Sequence, residues 1–404
     1  MKFLRGQPAQ TRRDAWLEVN LSAIERNARG FRAAMPSHAG MMAIVKADAY
    51  GHGAATLAPV LEAAGVAMAG VASVDEALHL RRAGLSMPIL VIGSVPDWAM
   101  RQAAEEDIRL TVFDDRHLDG VRRTYAQTGR PMAVHVKIDT GMHRIGAPWE
   151  DAPAFVRRCR ATPGLILEGI FSHLACAETP DARERQQSRF FQTLAQCGPL
   201  PPLCHLDNTV STLMRLTEPG TWPSELAMAR LGLGLYGYSG FSQGFLPEAA
   251  LVDVLQRLAL TPAMGLKARI AHLQPVAAGE GVSYGAHFVA PREGVRLLAT
   301  LPVGYADGLP RALSQRISGW LRGARVPQVG VITMDQLMID VSALESPEIG
   351  ETVTLLGPQD ACAQSPRITL GDWTQALSVV GYDAIEYELM CALRVRLPKT
   401  YIRD

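Results

Sequence analysis

From about residue 41 to 236, short apolar runs alternate with amphipathic helical stretches, and this rhythm limits the possible folds more than any other feature of the chain. It argues for repeated β-α units and a parallel sheet. MMAIV (41–45) reads as a buried strand and ATLAPVLEAAG (55–65) as the helix behind it, closed by a glycine stop signal. VAMAGVA with VDEALHLRRAG, PILVI with a helix near 97–106, and IRLTVF with a helix through VRRTYAQTG continue the pattern. VHVKID with 150–161, LILEGIFSH with 182–196, CHLDN with 208–217 and finally MARLGLGLYG complete it. Eight candidate strands separated by helices predict a chain of class α/β with a closed (β/α)8 TIM-type barrel, although the pattern alone also admits an open doubly wound sheet.

After about residue 250 the texture changes to short alternating segments with glycine and proline between them: LKARIAHLQPV, VRLLATLPV, VPQVGVI, LMIDV and ETVTLLG. These predict a mainly β C-terminal domain. The expected division is therefore a barrel over 12–248 and a β-rich domain over 249–404, with which the N-terminal segment 1–20 can pack. A chain of 404 residues suits a large barrel plus a smaller partner.

Forty basic residues balance forty acidic ones, so no global field draws the chain to nucleic acid or an anionic membrane, and a small zwitterionic substrate fits better. The six cysteines, Cys159, Cys176, Cys197, Cys204, Cys362 and Cys391, form no C-x-x-C pair, which favours reduced, structural thiols over metal ligands. The start MKFLRGQPAQTRRD lacks the apolar core of a secretory signal, and no apolar stretch is long enough to span a bilayer. A cytoplasmic location is expected.

Reactive polar residues recur where the barrel strands should end: Lys46 after MMAIV, Arg144 after VHVKID, His173 after LILEGIFS, Asn208 after CHL, and Arg230 beside the last strand. Any one of them alone is more simply a helix cap or a solvated loop residue. Five at corresponding places converge on one barrel mouth. Lys46 directly follows an apolar run, where a desolvated amine can lose its proton and attack a carbonyl. Local physics does not identify that carbonyl.

The nine residues VKADAYGHG around Lys46 resemble the cofactor-lysine signature of alanine racemases. KIDTGMHRIG (137–146), FSHLACAE (171–178), CHLDNTVST (204–212), ARLGLGLYG (229–237), GVSYGAHF (281–288), LPVGYADGLPR (301–311), GVITMDQLMID (330–340) and EYELMCALRVRLPKTY (386–401) resemble the family's other blocks, in order. The likeness runs from about residue 14 to 401 and implies a pyridoxal 5′-phosphate enzyme that interconverts L-alanine and D-alanine, supplying D-alanine for peptidoglycan.

By that resemblance Lys46 holds the cofactor as an aldimine, and Tyr50, Asn208, Thr209, the backbone near Gly232, and Tyr387 bind its phosphate. Arg230 faces the pyridine nitrogen, where a permanently charged guanidinium keeps that nitrogen unprotonated and favours racemisation over transamination. Inverting a stereocentre is easiest with a base on each face, and Lys46 and Tyr284 are the implied pair. A phenol, with an ordinary pKa of about 10, is a poor base near neutrality unless its anion is favoured. His173 and Arg230 are the candidates for that tuning. Arg144 and the backbone N–H of Met334 are the implied donors to the substrate carboxylate, with Asp335 beside them. Lys137 matches a lysine that is often carbamylated and braces Arg144. Glu178, Tyr305, Arg311 and Tyr387 line the implied entrance. Tyr284, Met334 and Asp335 enter from the partner subunit, so a homodimer with composite sites is expected. No metal is implied.

Three residues depart from the common pattern: Thr209 stands where serine is frequent, Glu178 where aspartate is, and Thr333 where cysteine is. They bear on substrate breadth and rate more than on reaction type. A broader-specificity, serine or basic amino-acid racemase is the nearest rival. A pyridoxal-phosphate decarboxylase is disfavoured because the glycine-rich phosphate loop is absent at the expected place. A non-catalytic cofactor-binding protein would need Lys46 and the phosphate site, but not Tyr284 or Met334.

Overall fold

The computed structural model describes residues 13–403 except 219, 243, 292–294, 360–364 and 394–395. The eight expected strands are present as β2 (Gly40–Ile44), β3 (Met68–Val71), β4 (Ile89–Val91), β5 (Ile108–Val112), β6 (Met132–Asp139), β7 (Leu165–Phe171), β8 (Leu203–His205) and β9 (Leu226–Leu231). Each pairs in parallel with the next, and Met228 to Leu231 of β9 pair with Gly40 to Ala43 of β2, closing the ring. The open-sheet alternative is thereby excluded. Met41, Met42, Ile89, Leu90, Val91, Val134 and Val136 are buried, as expected of strands that face side chains inside the barrel and helices outside it.

The helices between strands carry their own start and stop chemistry. Ser73 caps the helix α3 (Val74–Arg82) by accepting from the Glu76 N–H at 3.3 Å, and Asp114 caps α5 (Asp115–Thr128) by accepting from the His117 N–H at 3.2 Å. Such caps each stabilise a helix by about 1 kcal/mol. Gly129, at φ 67°, ends α5 in the left-handed conformation that glycine adopts at least cost.

The described chain clusters into two compact units. The barrel unit comprises Ala23–Ala49 and Ala54–Thr261; the other takes the residues up to Ser22, Tyr50–Gly53 and those from Pro262 on. The division thus falls near 261 rather than at 248. The helix Ala249–Leu258 belongs with the barrel, where Leu258 packs over Gly30 and the Asn27 side chain bonds the backbone of Thr261 from both its amide nitrogen and its oxygen. Its sequence, AALVDVLQRL, has helical rather than alternating periodicity.

The second unit is built on a ten-stranded sheet. Its strands include β1 (Ala15–Asn20), Met264–Arg269, His272–Val276, Arg296–Leu301, Ser318–Leu321, Ala324–Val329, Leu337–Asp340, Thr352–Pro358 and Lys399–Ile402. Pairing is antiparallel except between β1 and Lys399–Ile402, which run parallel with Leu17 opposite Lys399. β1 alternates buried and half-buried residues, so its apolar Leu17 and Val19 complete this unit's core. No helix among the described residues is long and apolar enough to cross a membrane.

Inside the barrel, β7 approaches its neighbours closely at Gly169. A Cβ there would lie 2.3 Å from His135 Nδ1 and 2.6 Å from the Leu203 carbonyl oxygen. Because one obstruction is backbone, the strain cannot be relieved by a side-chain rotation. Gly169→Ala is expected to destabilise the protein by about 1–3 kcal/mol, read as a lowered urea midpoint with an unchanged slope.

Candidate active site

The strand ends bring together the polar residues that the sequence singled out in the barrel. Lys46 follows β2 by two residues and opens a turn of unusual hand: Ala47, Asp48, Ala49 and Tyr50 have φ of 53°, 56°, 54° and 50°. None is glycine, and the left-handed helical conformation costs L-residues about 1–2 kcal/mol each. The turn is closed by the Ala49 N–H, which donates to the Val45 carbonyl at 2.8 Å.

Arg230, on β9, is buried with both terminal nitrogens of its guanidinium engaged by neighbouring strand ends. Nη1 donates to His205 Nδ1 at 2.7 Å, while Nη2 donates to the carbonyls of Ser172 and Leu206 at 2.7 Å and to His173 Nδ1 at 3.2 Å. Burial pulls its pKa down to about 10, against the opposing effect of Asp207, so it stays charged near neutrality. His173 lies well below the ordinary histidine range, first through burial and then through Arg230, Lys137, Arg144 and Lys46. It is therefore neutral, and because Nδ1 accepts from arginine, its Nε2 carries the proton.

Lys137, in β6, is buried with its ammonium 5.6 Å from the Phe171 ring centroid. Burial and then Arg144 and Arg230 lower its pKa to about 8. Arg144 is exposed on the loop after β6, a loop shaped by Asp139, whose Oδ1 accepts from the N–H groups of Gly141, Met142 and His143 at 2.9, 3.0 and 3.1 Å. Asn208 caps the helix Thr209–Arg215 in a reciprocal box with Ser211. Thr209 Oγ1 accepts from the Gly232 and Gly234 N–H groups at 3.1 and 3.3 Å, which leaves its own hydroxyl hydrogen to donate. Glu178 accepts from the Ser242 N–H at 3.0 Å, joining two loops of the barrel unit.

The remaining candidates lie in the second unit. Tyr50 and Tyr387 approach with ring centroids 5.5 Å apart. Burial, and then Glu386, pushes the Tyr387 phenol up to about 12, so it remains a hydrogen-bond donor across the neutral range. Tyr284, Met334, Tyr305 and Arg311 sit on three loops stitched by hydrogen bonds. Ser283 Oγ donates to the Val331 carbonyl at 2.9 Å, the Tyr305 and Ala306 N–H groups donate to the Thr333 and Met334 carbonyls at 3.0 Å, and Ser314 Oγ accepts from Ile332 N–H at 2.9 Å. The Ser314 N–H in turn donates to the Arg311 carbonyl at 3.1 Å. Asp335 accepts from Arg396 at 2.9 Å, and buried Asp307 pairs with Arg13. Tyr284 is 73% exposed in the single chain.

The family model for the alanine racemase N-terminal domain matches residues 19–240, and that for the C-terminal domain matches 263–401. The chain belongs to the alanine racemase family. It is similar to the alanine racemase of Nostoc sp., at 39% identity over 95% of each chain, and to that of Synechocystis sp., at 36% over 97% of this chain and 100% of the other. Among solved structures it resembles the alanine racemase of Bacillus anthracis with bound L-Ala-P, at 33% identity and a TM-score of 0.84, covering 98% of this chain and 97% of that one. It likewise resembles the alanine racemase of D-cycloserine-producing Streptomyces lavendulae, at 34% identity and a TM-score of 0.83, covering 97% and 98%.

Within the barrel unit, a polar chain that the motif reading missed runs inward from Arg230. His205 Nδ1 accepts from Arg230, so its Nε2–H donates to His135 Nδ1 at 2.8 Å; His135 Nε2–H then donates to Glu168 at 3.2 Å. Glu168 is held below the ordinary carboxylate range by His135 and also by Arg109. His135, Glu168 and His205 lie within strands rather than after them, so a search of strand ends passes over them.

The lowered Lys137 pKa has a direct consequence for stability. Between about 8 and the ordinary 10.5, the unfolded chain holds this proton and the folded one does not, so stability rises with pH across that window. Below it, the full cost of the buried charge is present. In carbon-dioxide-free buffer, Lys137→Met is expected to stabilise the protein by about 1–3 kcal/mol at pH 7 and to flatten the rise above pH 8, as measured by urea unfolding.

Proposed function

We propose that this chain interconverts L-alanine and D-alanine with pyridoxal 5′-phosphate held through Lys46, using Lys46 and Tyr284 as bases on opposite faces of the substrate. The observation that carries the reading is Arg230: a buried, charged guanidinium at the barrel mouth, bracketed by two neutral histidines. That donor set fits an anionic aromatic cofactor. Lys46 supplies the amine for its aldehyde; Tyr50, Asn208, Thr209, the backbone near Gly232 and Tyr387 would surround the phosphate, with the Thr209 hydroxyl hydrogen spare to donate because Thr209 Oγ1 already accepts from the Gly232 N–H.

When bound, the cofactor withdraws electrons from alanine and acidifies its Cα–H. Arg230 would face the ring nitrogen and, still charged near neutrality, give it no proton, which keeps the electron withdrawal modest and favours prompt return of the α-proton. Lys46 Nζ moves the proton on the D-alanine side and Tyr284 Oη on the L-alanine side. The Nε2–H of neutral His173 is a suitable donor to a phenolate, and Arg230 fixes that tautomer. Arg144 and the Met334 N–H hold the substrate carboxylate, with Asp335 beside them, and Glu178, Tyr305 and Arg311 guard the approach. Lys137, with a pKa near 8, has a neutral fraction of about a tenth at pH 7, far above that of an ordinary lysine, and is chemically suited to take up carbon dioxide as a carbamate that braces Arg144.

The exposed Tyr284 supports a homodimer in which Tyr284, Met334 and Asp335 of each subunit complete the site of the other. D-Alanine made in the cytoplasm would serve peptidoglycan synthesis.

Chiral chromatography after incubation with each common L-amino acid is expected to show D-alanine far ahead; dominant product from serine or a basic residue would overturn the alanine assignment. Lys46→Ala is expected to lose the visible absorbance of the bound cofactor, whereas Tyr284→Phe should keep it and lose deuterium exchange from L-alanine. Mixing these two inactive variants under subunit exchange should restore about a quarter of native activity, because half of randomly paired dimers then hold one intact site. No recovery despite proven exchange would refute the shared site.

A further inference from the structure

The left-handed turn after Lys46 is held by a carboxylate to which neither the motifs nor the mechanism above gives a role. Glu76 lies in the first turn of α3, three residues after the cap Ser73. Serine followed at that spacing by glutamate is a capping-box pattern, in which the glutamate bonds the cap residue's own N–H. Here Glu76 reaches elsewhere. Its Oε1 accepts from the Ala47 N–H at 2.8 Å and its Oε2 from the Ala72 N–H at 2.7 Å. Ala47 directly follows Lys46, and Ala72 directly follows β3, so one side chain ties the peptide after the lysine to the end of the adjacent barrel strand.

The far side of the turn has its own tie, since Asp48 Oδ1 accepts from the Ala54 N–H at 2.8 Å. Glu76 therefore acts on the lysine side. Four consecutive residues in a conformation that alanine, aspartate and tyrosine disfavour persist only where the surroundings impose it. Without Glu76 the Ala47 N–H loses its acceptor, and the peptide is free to leave the left-handed region, which turns the Cα–Cβ direction of Lys46.

We propose that Glu76 is a positioning residue that aims Lys46 by clamping the Ala47 peptide in the left-handed turn. The proposal rests on the reading that Lys46 bonds the cofactor aldehyde. It requires both oxygens as acceptors. Glutamine at this place has one acceptor and turns an NH2 donor toward one of the two N–H donors, so it should behave as a partial loss.

The test measures how fast the visible band grows when pyridoxal phosphate is added to cofactor-free protein, as the lysine amine adds to the aldehyde carbon and one water leaves. Glu76→Ala is expected to slow this step roughly 10- to 100-fold, the penalty typical of a misdirected reacting group. Glu76→Gln should fall between it and the native rate. In steady-state assays, kcat should drop while KM for alanine changes little. The same Glu76→Ala change is then made in Lys46→Ala protein, where equilibrium dialysis reads non-covalent cofactor binding; there the Kd should stay within about two-fold.

A native rate of band growth in Glu76→Ala overturns the proposal, as does an equal loss of cofactor affinity in the two backgrounds, which would mark Glu76 as general support. If Glu76→Ala fails to fold by circular dichroism, Glu76→Gln carries the test, and a native rate in that variant overturns the clamp. A visible band that survives in Lys46→Ala would instead defeat the lysine assignment itself.

Discussion

A charged guanidinium taken out of water must have its donors met, and Arg230 meets this requirement by drawing on two neighbouring strand ends at once. Ser172 and His173 follow β7, His205 ends β8, and Leu206 follows it. Because arginine only donates, each partner is forced to accept, and this fixes the proton positions of both histidines. His205 then passes the constraint inward through His135 to Glu168. The barrel mouth therefore has its protonation pattern set by one residue that cannot act as an acid near neutrality.

The same charge shapes its surroundings. Burial first, and then Arg230 among the nearby cations, lowers the pKa of His173, His205 and Lys137, leaving the two histidines neutral and bringing the lysine to about 8. The carboxylate that opposes the Arg230 charge, Asp207, is itself paired with Arg215 at 2.5 Å. An electropositive, partly dehydrated mouth of this kind favours phosphate and carboxylate groups, which agrees with the membership of the chain in the alanine racemase family.

The barrel was legible in sequence because its short strands are nearly continuous apolar runs, as in MMAIV and PILVI, and helical periodicity separates them. Lys46, His173 and Asn208 were legible because they stand just past those runs. Local pattern failed where tertiary contacts decide the outcome. Nothing in KADAY announces a left-handed turn, since it contains no glycine and its geometry is imposed in part by Glu76, twenty-nine residues from Ala47. His135 sits inside VHVKID and reads as an ordinary strand residue, although its partner Glu168 lies in another strand. The helix Ala249–Leu258 was absorbed into a β-rich texture that begins only after it.

The position of β1 bears on the order in which the molecule can be assembled. Residues 15–20 find their partners at 264–269 and 399–402, so they must wait for almost the whole chain to be synthesised. The barrel's strands, between residues 40 and 231, need no later segment for their pairing. The barrel can therefore close while the remaining chain is still emerging, with β1 held as an unpaired apolar strand for the longest interval of any segment. Until its final partner strand arrives, the β1 sequence AWLEVN is the stretch most exposed to mispairing, and the alternation of Glu18 and Asn20 with its apolar residues limits how readily two such strands can stack.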